Sequence, residues 1–118
     1  MATVLIADDA AFMRMKCVSL LEELGHDVIE AEDGEEAVDL YKEKRPDAVL
    51  LDITMPNMDG LEALKAIMEF DPNAKVAMVT AMGQQQVIME AIKTGAKDFV
   101  VKPFDPARMQ EALWKLIG

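Results

Sequence analysis

Five short apolar runs, each followed by a segment of helical character, constrain this chain more than any other feature. The runs are Thr3–Ala7, Asp27–Ala31, Asp47–Leu51, Lys75–Val79 and Asp98–Val101. Ala11–Leu24 carries a helical stripe of Phe12, Met15, Val18 (or Ser19) and Glu22, thickened by Leu20, Leu21 and Leu24, and Gly25 closes it. Asp33 and Glu36 stand as N-cap and N3 of a second helix that buries Ala37, Leu40 and Tyr41 and stops before Pro46. Asp59 and Glu62 repeat that start for a third helix, with Leu61, Leu64, Ile67 and Met68 inward and Asp71-Pro72-Asn73 at its end. Gln84–Thr94 is a fourth helix closed by Gly95. Asp105 caps a fifth, with Pro106 at its first position and Met109, Ala112, Leu113 and Leu116 inward.

Strands that alternate with helices pair in parallel and bury both faces of their sheet under helices. The expected fold class is therefore α/β, a flavodoxin-like doubly wound (βα)5 domain. Right-handed crossovers favour a five-stranded parallel sheet in the order 2-1-3-4-5. Residues 1–118 show no linker, repeat or low-complexity tract and read as one domain. Glu30 interrupts the second run, as an edge strand tolerates.

Composition narrows the function. Net charge is -10, from 12 basic and 22 acidic residues, which argues against binding nucleic acid or an anionic membrane. No apolar run approaches the ~20 residues of a membrane span, and no basic region precedes the first apolar run, so a cytoplasmic protein is expected. Cys17 is the one cysteine and reads as a core side chain; His26 is the one histidine. A disulfide, a histidine metal site and a Ser-His pair therefore have little to draw on. Some of the ten methionines are expected on an adaptable partner-binding face.

The strands end in chemistry. The first is followed by Asp8-Asp9, the third by Asp52, the fourth by Thr80 and the fifth by Lys102. In the order 2-1-3-4-5 the first and third strands are neighbours whose connections run opposite ways, which opens a crevice at their carboxyl ends. Three carboxylates there need a counter-charge, and an oxygen-only donor set selects Mg²⁺, with Mn²⁺ as a substitute. A cation, a nucleophilic carboxylate, a hydroxyl and an ammonium are the parts of phosphoryl transfer. After Asp52 the run Met55-Pro56-Asn57-Met58-Asp59-Gly60 is dense in turn signals.

The chain resembles a response-regulator receiver domain through LIADD at 5–9, LLDITMPNMDG at 50–60, VTAMG at 79–83 and VVKPF at 100–104. The stretches 8–14 and 81–85 look most like single-domain chemotaxis regulators of the CheY type. The resemblance implies that Asp52 is the phospho-acceptor, and that Asp8, Asp9, Asp52 and the backbone carbonyl of Thr54 hold the metal, with Asp9 a direct ligand. It implies that Thr80 is the switch hydroxyl, Lys102 the phosphate-binding lysine, and Lys102–Pro103 a cis bond. Phe99 stands where the family's best-known member has a Tyr and lacks that residue's hydroxyl contact. Through Phe99, the outgoing signal is expected on a face of the fourth helix, fifth strand and fifth helix, with Met89, Ala91, Phe99, Arg108 and Met109 on or near it.

The resulting expectation is a monomeric phosphorylation switch rather than an enzyme, one that catalyses only its own phosphorylation and dephosphorylation. A chemotaxis-type histidine kinase is the expected donor, and a flagellar motor switch protein or another protein the target, with a phosphatase as a further partner. With the last helix ending near Gly118, no attached DNA-binding domain is expected, so output runs by protein contact. A single-domain phosphorelay intermediate is the alternative. A Mg²⁺-dependent phosphatase with an aspartyl-phosphate intermediate is weaker, because Thr54 stands where that chemistry needs a second Asp. A flavodoxin-like nucleotide binder is weaker too, because Asp8-Asp9 replaces a phosphate loop.

Overall fold

The computed structural model describes residues 2–81 and 84–118; Met82 and Gly83, within the VTAMG motif, lie outside the described residues. Five strands, β1 (Thr3–Ala7), β2 (Asp27–Ala31), β3 (Ala48–Asp52), β4 (Val76–Thr80) and β5 (Asp98–Val101), alternate with α1 (Ala11–Glu23), α2 (Gly34–Lys44), α3 (Gly60–Phe70), α4 (Gln85–Thr94) and α5 (Pro106–Ile117). The sheet is parallel throughout, in the order β2-β1-β3-β4-β5.

Side chains alternate across the sheet and build two cores. Leu5, Val49, Leu51, Val76 and Met78 pack against α2, α3 and α4 through Val38, Tyr41, Leu64, Ile67 and Ala91. Val4, Ile6, Ala48, Leu50, Ala77 and Val79 pack against α1 and α5 through Cys17, Leu21, Met109, Leu113 and Leu116. Every residue of β3 and β4 is buried, whereas the edge strands β2 and β5 each carry exposed positions.

The helix starts follow the expected capping chemistry. The Asp33 carboxylate accepts from the Glu36 amide, Asp59 and Glu62 form a reciprocal capping box, and Asp105 accepts from the Arg108 amide. Gly25 takes φ 89° beyond α1, and Gly95 takes φ 135° at the end of α4. The α1 stripe is a correction. Phe12 is 65% and Met15 56% exposed, while Cys17 and Leu21 are buried. α1 is apolar on several sides, so its periodicity did not single out the face that packs; Leu21 and Cys17, both expected inward, enter the core, while Phe12 and Met15 do not.

Candidate functional site

Strand parity builds the site. Val4, Ile6 and Asp8 fall on one side of the sheet, as do Ala48, Leu50 and Asp52, and Ala7 pairs with Leu51 in the register. Asp8 and Asp52 are therefore neighbours one step past the last paired residues, on the α1/α5 side. Thr80 has the parity of Val76 and Met78 and lies toward the other core.

One carboxylate oxygen from each of Asp8, Asp9 and Asp52 lies within 4.8 Å of the other two, with Asp9 exposed and the other two residues buried. Lys102 Nζ donates to Asp8 Oδ2 and to Asp52 Oδ2, both at 3.1 Å. Lys102 is held from behind by its amide, which donates to the Thr80 carbonyl at 2.7 Å, and it precedes the cis bond to Pro103. Asp8 does not cap α1. Its Oδ1 accepts from the Ala10 amide at 2.8 Å, ahead of the helix, and its carbonyl accepts from Arg14 Nη1 at 2.6 Å. Arg14 in turn donates to Glu30 at 3.0 Å, so β2 braces the strand end from outside.

Electrostatically the cluster is short of positive charge. Burial pushes the Asp52 carboxyl above the usual carboxylate range, and Asp8's charge adds to this against the pull of Lys102. Partial burial disfavours the Lys102 ammonium, but its contacts with Asp52 and Asp8 prevail and hold it above an ordinary lysine. One ammonium divided between two buried carboxylates explains both directions. Three clustered carboxylates, two of them sharing one ammonium and none joined by a nitrogen or sulfur donor in the cluster, fit a hard divalent cation.

Close backbone packing fixes the loop after Asp52. A Cβ on Gly60 would lie 2.1 Å from the Asp52 carbonyl oxygen, and the Gly60 amide donates to the Ile53 carbonyl at 2.8 Å. A Cβ on Gly34 would meet the Met58 carbonyl oxygen at the same 2.1 Å. Asn57, at φ 66°, donates to Asp33 at 2.8 Å. The turn signals announced this loop, but its attachment to α2 depends on non-local contacts that no spacing displays.

Thr80 is fully buried and engaged elsewhere. Its hydroxyl donates to Gln84 Oε1 at 2.6 Å, with the Ala81 carbonyl within reach at 3.0 Å. Gln84 also accepts from the Ala81 amide at 3.0 Å and reaches the exposed Thr54 hydroxyl at 3.5 Å. Sequence reasoning missed Gln84; a long amide four residues past Thr80 was its only signal. Phe99 on β5 is 36% exposed and its carbonyl accepts from the partly exposed Arg108 on α5; Met89 on α4 is exposed too. Ala91 and Met109, expected on or near that face, are fully buried, each on the side of its helix turned to the sheet, as the inward stripe of α5 implied for Met109. Cys17 is buried as expected, and burial, reinforced by the charge of Asp8, pushes its thiol up to about 11. It is thus a protonated core side chain at neutral pH.

The family model described as the response regulator receiver domain matches residues 4–114. The chain belongs to this family. The receiver is 57% identical over 114 residues to the chemotaxis protein CheY of Thermotoga maritima, covering 96% of this chain and 95% of that one. It is 53% identical over 119 residues to protein CcdB of Bacillus subtilis, covering 100% of this chain and 99% of that one. Among solved structures, a CheX–CheY–BeF3–Mg²⁺ complex from Borrelia burgdorferi contains a chain that superposes with a TM-score of 0.93 at 42% identity, covering 98% of the receiver and 89% of that chain. Membership sets the phosphatase and nucleotide-binder readings aside. Among the described residues no helix of the receiver is long and apolar enough to cross a membrane.

Proposed function

We propose that the chain is a CheY-type phosphorylation switch, a single receiver domain over residues 1–118 that takes a phosphoryl group from a chemotaxis-type histidine kinase onto Asp52. The observation that carries this reading is Lys102 bridging Asp8 and Asp52 inside a three-carboxylate cluster. An Asp52 carboxylate oxygen attacks phosphorus. The donor's bond to phosphorus breaks, and its electron pair leaves with the donor. Lys102 moves from its carboxylates to a phosphoryl oxygen, and Thr80 donates its hydroxyl to another. Asp8, Asp9, Asp52 and the Thr54 carbonyl would hold Mg²⁺, or Mn²⁺ in its place, which supplies neutralising charge to the phosphoryl group when bound.

The switch follows from Thr80 and Phe99. When Thr80 turns toward the phosphoryl group it vacates space on its own side of the sheet, and Phe99 turns inward to fill it. Burying Phe99 removes apolar area from water and so favours the move. Partners that prefer inward Phe99 must reciprocally favour the phosphorylated site. We assign these partners as the flagellar motor switch protein or another protein target, together with a phosphatase, acting on a cytoplasmic monomer that binds neither nucleic acid nor membrane. The switch catalyses only its own phosphorylation and dephosphorylation.

Two measurements test the reading. Intact mass after incubation with Mg²⁺ and a small acyl phosphate should show one added phosphoryl group; an unchanged mass contradicts it. A side-chain NMR probe on Phe99 should change environment when a phosphoryl mimic binds. An unchanged Phe99 with Thr80 shifting alone means that the signal leaves by another surface.

A further inference from the structure

A hydroxyl has a single proton to donate; Gln84 Oε1 at 2.6 Å and the Ala81 carbonyl at 3.0 Å both lie within reach of Thr80, and the shorter contact is the one to Gln84. The identity of the accepting atom is fixed by chemistry. The Ala81 amide, which can only donate, points at the same Gln84 atom, so that atom is the oxygen. The amide nitrogen then faces Thr54, which follows Asp52 by two residues. One side chain thus spans from the end of β4 to the loop after β3.

We propose that Gln84 is a positioning residue that holds the unphosphorylated state by engaging the Thr80 hydroxyl. The inference rests on the reading in which Thr80 donates to a phosphoryl oxygen on Asp52. Thr80 is fully buried, so the acceptors for its proton are protein atoms, Gln84 Oε1 and the more distant Ala81 carbonyl, and a turn toward Asp52 breaks the 2.6 Å bond to Gln84. The same turn strips Gln84 Oε1 of one of its two donors and leaves the Ala81 amide as the other. Release of Thr80 is therefore coupled to the first residue of α4's approach, because Gln84 is the N-cap of that helix and lacks a side-chain cap bond of its own. The phosphoryl group and Gln84 compete for one proton, and the strength of the Gln84 contact sets how much affinity the phosphorylated state forfeits.

The test uses the full chain with beryllofluoride and Mg²⁺ as the phosphoryl mimic, followed by NMR at the Thr80 methyl. The parent should bind, with the Thr80 signal shifting. Gln84→Ala should bind roughly three- to ten-fold tighter, the equivalent of one hydrogen bond no longer opposed. Gln84→Met, which keeps the length and loses the acceptor, should do the same even where the alanine variant weakens α4. In a Thr80→Ala background the effect of Gln84→Met should vanish, because the competition runs through the hydroxyl. In the protein with no mimic or metal, Gln84→Met should redistribute the Thr80 side-chain rotamers measured by three-bond couplings. Unchanged rotamers overturn the proposal whatever the mimic does. A lower melting temperature with no gain in affinity reduces Gln84 to a support for α4 and likewise overturns it. A parent that does not bind the mimic overturns the phosphoryl reading itself, a failure distinct from normal binding that is indifferent to Gln84.

Discussion

Asp52 and Asp98 are both buried aspartates at the ends of strands, 8% and 6% exposed, and each has a cation nitrogen at 3.1 Å. Their electrostatics are opposite. Burial is the largest influence on Asp98 and pushes its carboxyl up. Hydrogen bonds from Arg108 and the Phe99 amide, with the charges of Arg108 and Lys115, outweigh it and hold Asp98 below the ordinary carboxylate range. Arg108 reaches both oxygens of Asp98, at 3.2 and 3.1 Å, and also the Phe99 carbonyl, while Lys115 lies 3.6 Å away. Asp52 receives half of one ammonium and has Asp8 as a neighbour, so burial prevails. A carboxylate that holds a fold together is given every partner it can take. One left short of positive charge beside an opening is kept for a cation and a reacting group.

The sharpest way to break this contrast is to remove Asp98. Asp98→Ala leaves Arg108 facing an apolar methyl and should lower stability by about 2 to 3 kcal/mol in urea denaturation, the lower end for a broken buried pair because Arg108 is partly exposed. The phosphoryl increment with an acyl phosphate should persist in the folded variant. Loss of phosphorylation without loss of stability would erase the distinction between the two aspartates.

The next effect belongs to the other pole. Mg²⁺ at ten times its Kd should add about 1.4 kcal/mol to the parent, read as a raised melting temperature. Asp9→Ala should melt higher than the parent without Mg²⁺, because one of three clustered carboxylates is gone, and should lose the Mg²⁺ response. Equal melting of the parent with and without Mg²⁺ would mean that the cluster is satisfied as it stands.

The smallest effect is in pH. The folded pKa of Asp98 is depressed below 3.8, so its stabilisation is complete above that value and is lost as pH falls through the lower folded pKa. Denaturation curves of the parent should therefore show a loss of stability below pH 3.8 that Asp98→Asn lacks. An identical acid limb in both proteins would remove Asp98 from the anchoring role.

Much of this contrast was legible in the chain and part of it was not. The strand order, the helix caps at Asp33, Asp59 and Asp105, and the convergence of Asp8, Asp9, Asp52 and Lys102 follow from local rules: periodicity, capping chemistry and the alternation of side chains across a strand. Asp98 read only as the first residue of a strand: the apolar stripe of α5 fixed its inner face, but no local pattern says that Arg108 and Lys115, beside that stripe, reach back to a strand start. On α1 the periodicity put Phe12 and Met15 inside, where the structure exposes them. Gln84 escaped notice because its role depends on which way one amide points.

The central claim is that the poorly served carboxylate, not the well-served one, takes the phosphoryl group. Borohydride reduction of the phosphorylated chain converts an aspartyl phosphate to homoserine, which peptide mass spectrometry locates. The account predicts homoserine at position 52 alone, with Asp8, Asp9 and Asp98 intact and no homoserine in Asp52→Asn. Homoserine at position 98, or the parent's yield of it elsewhere in Asp52→Asn, would contradict it.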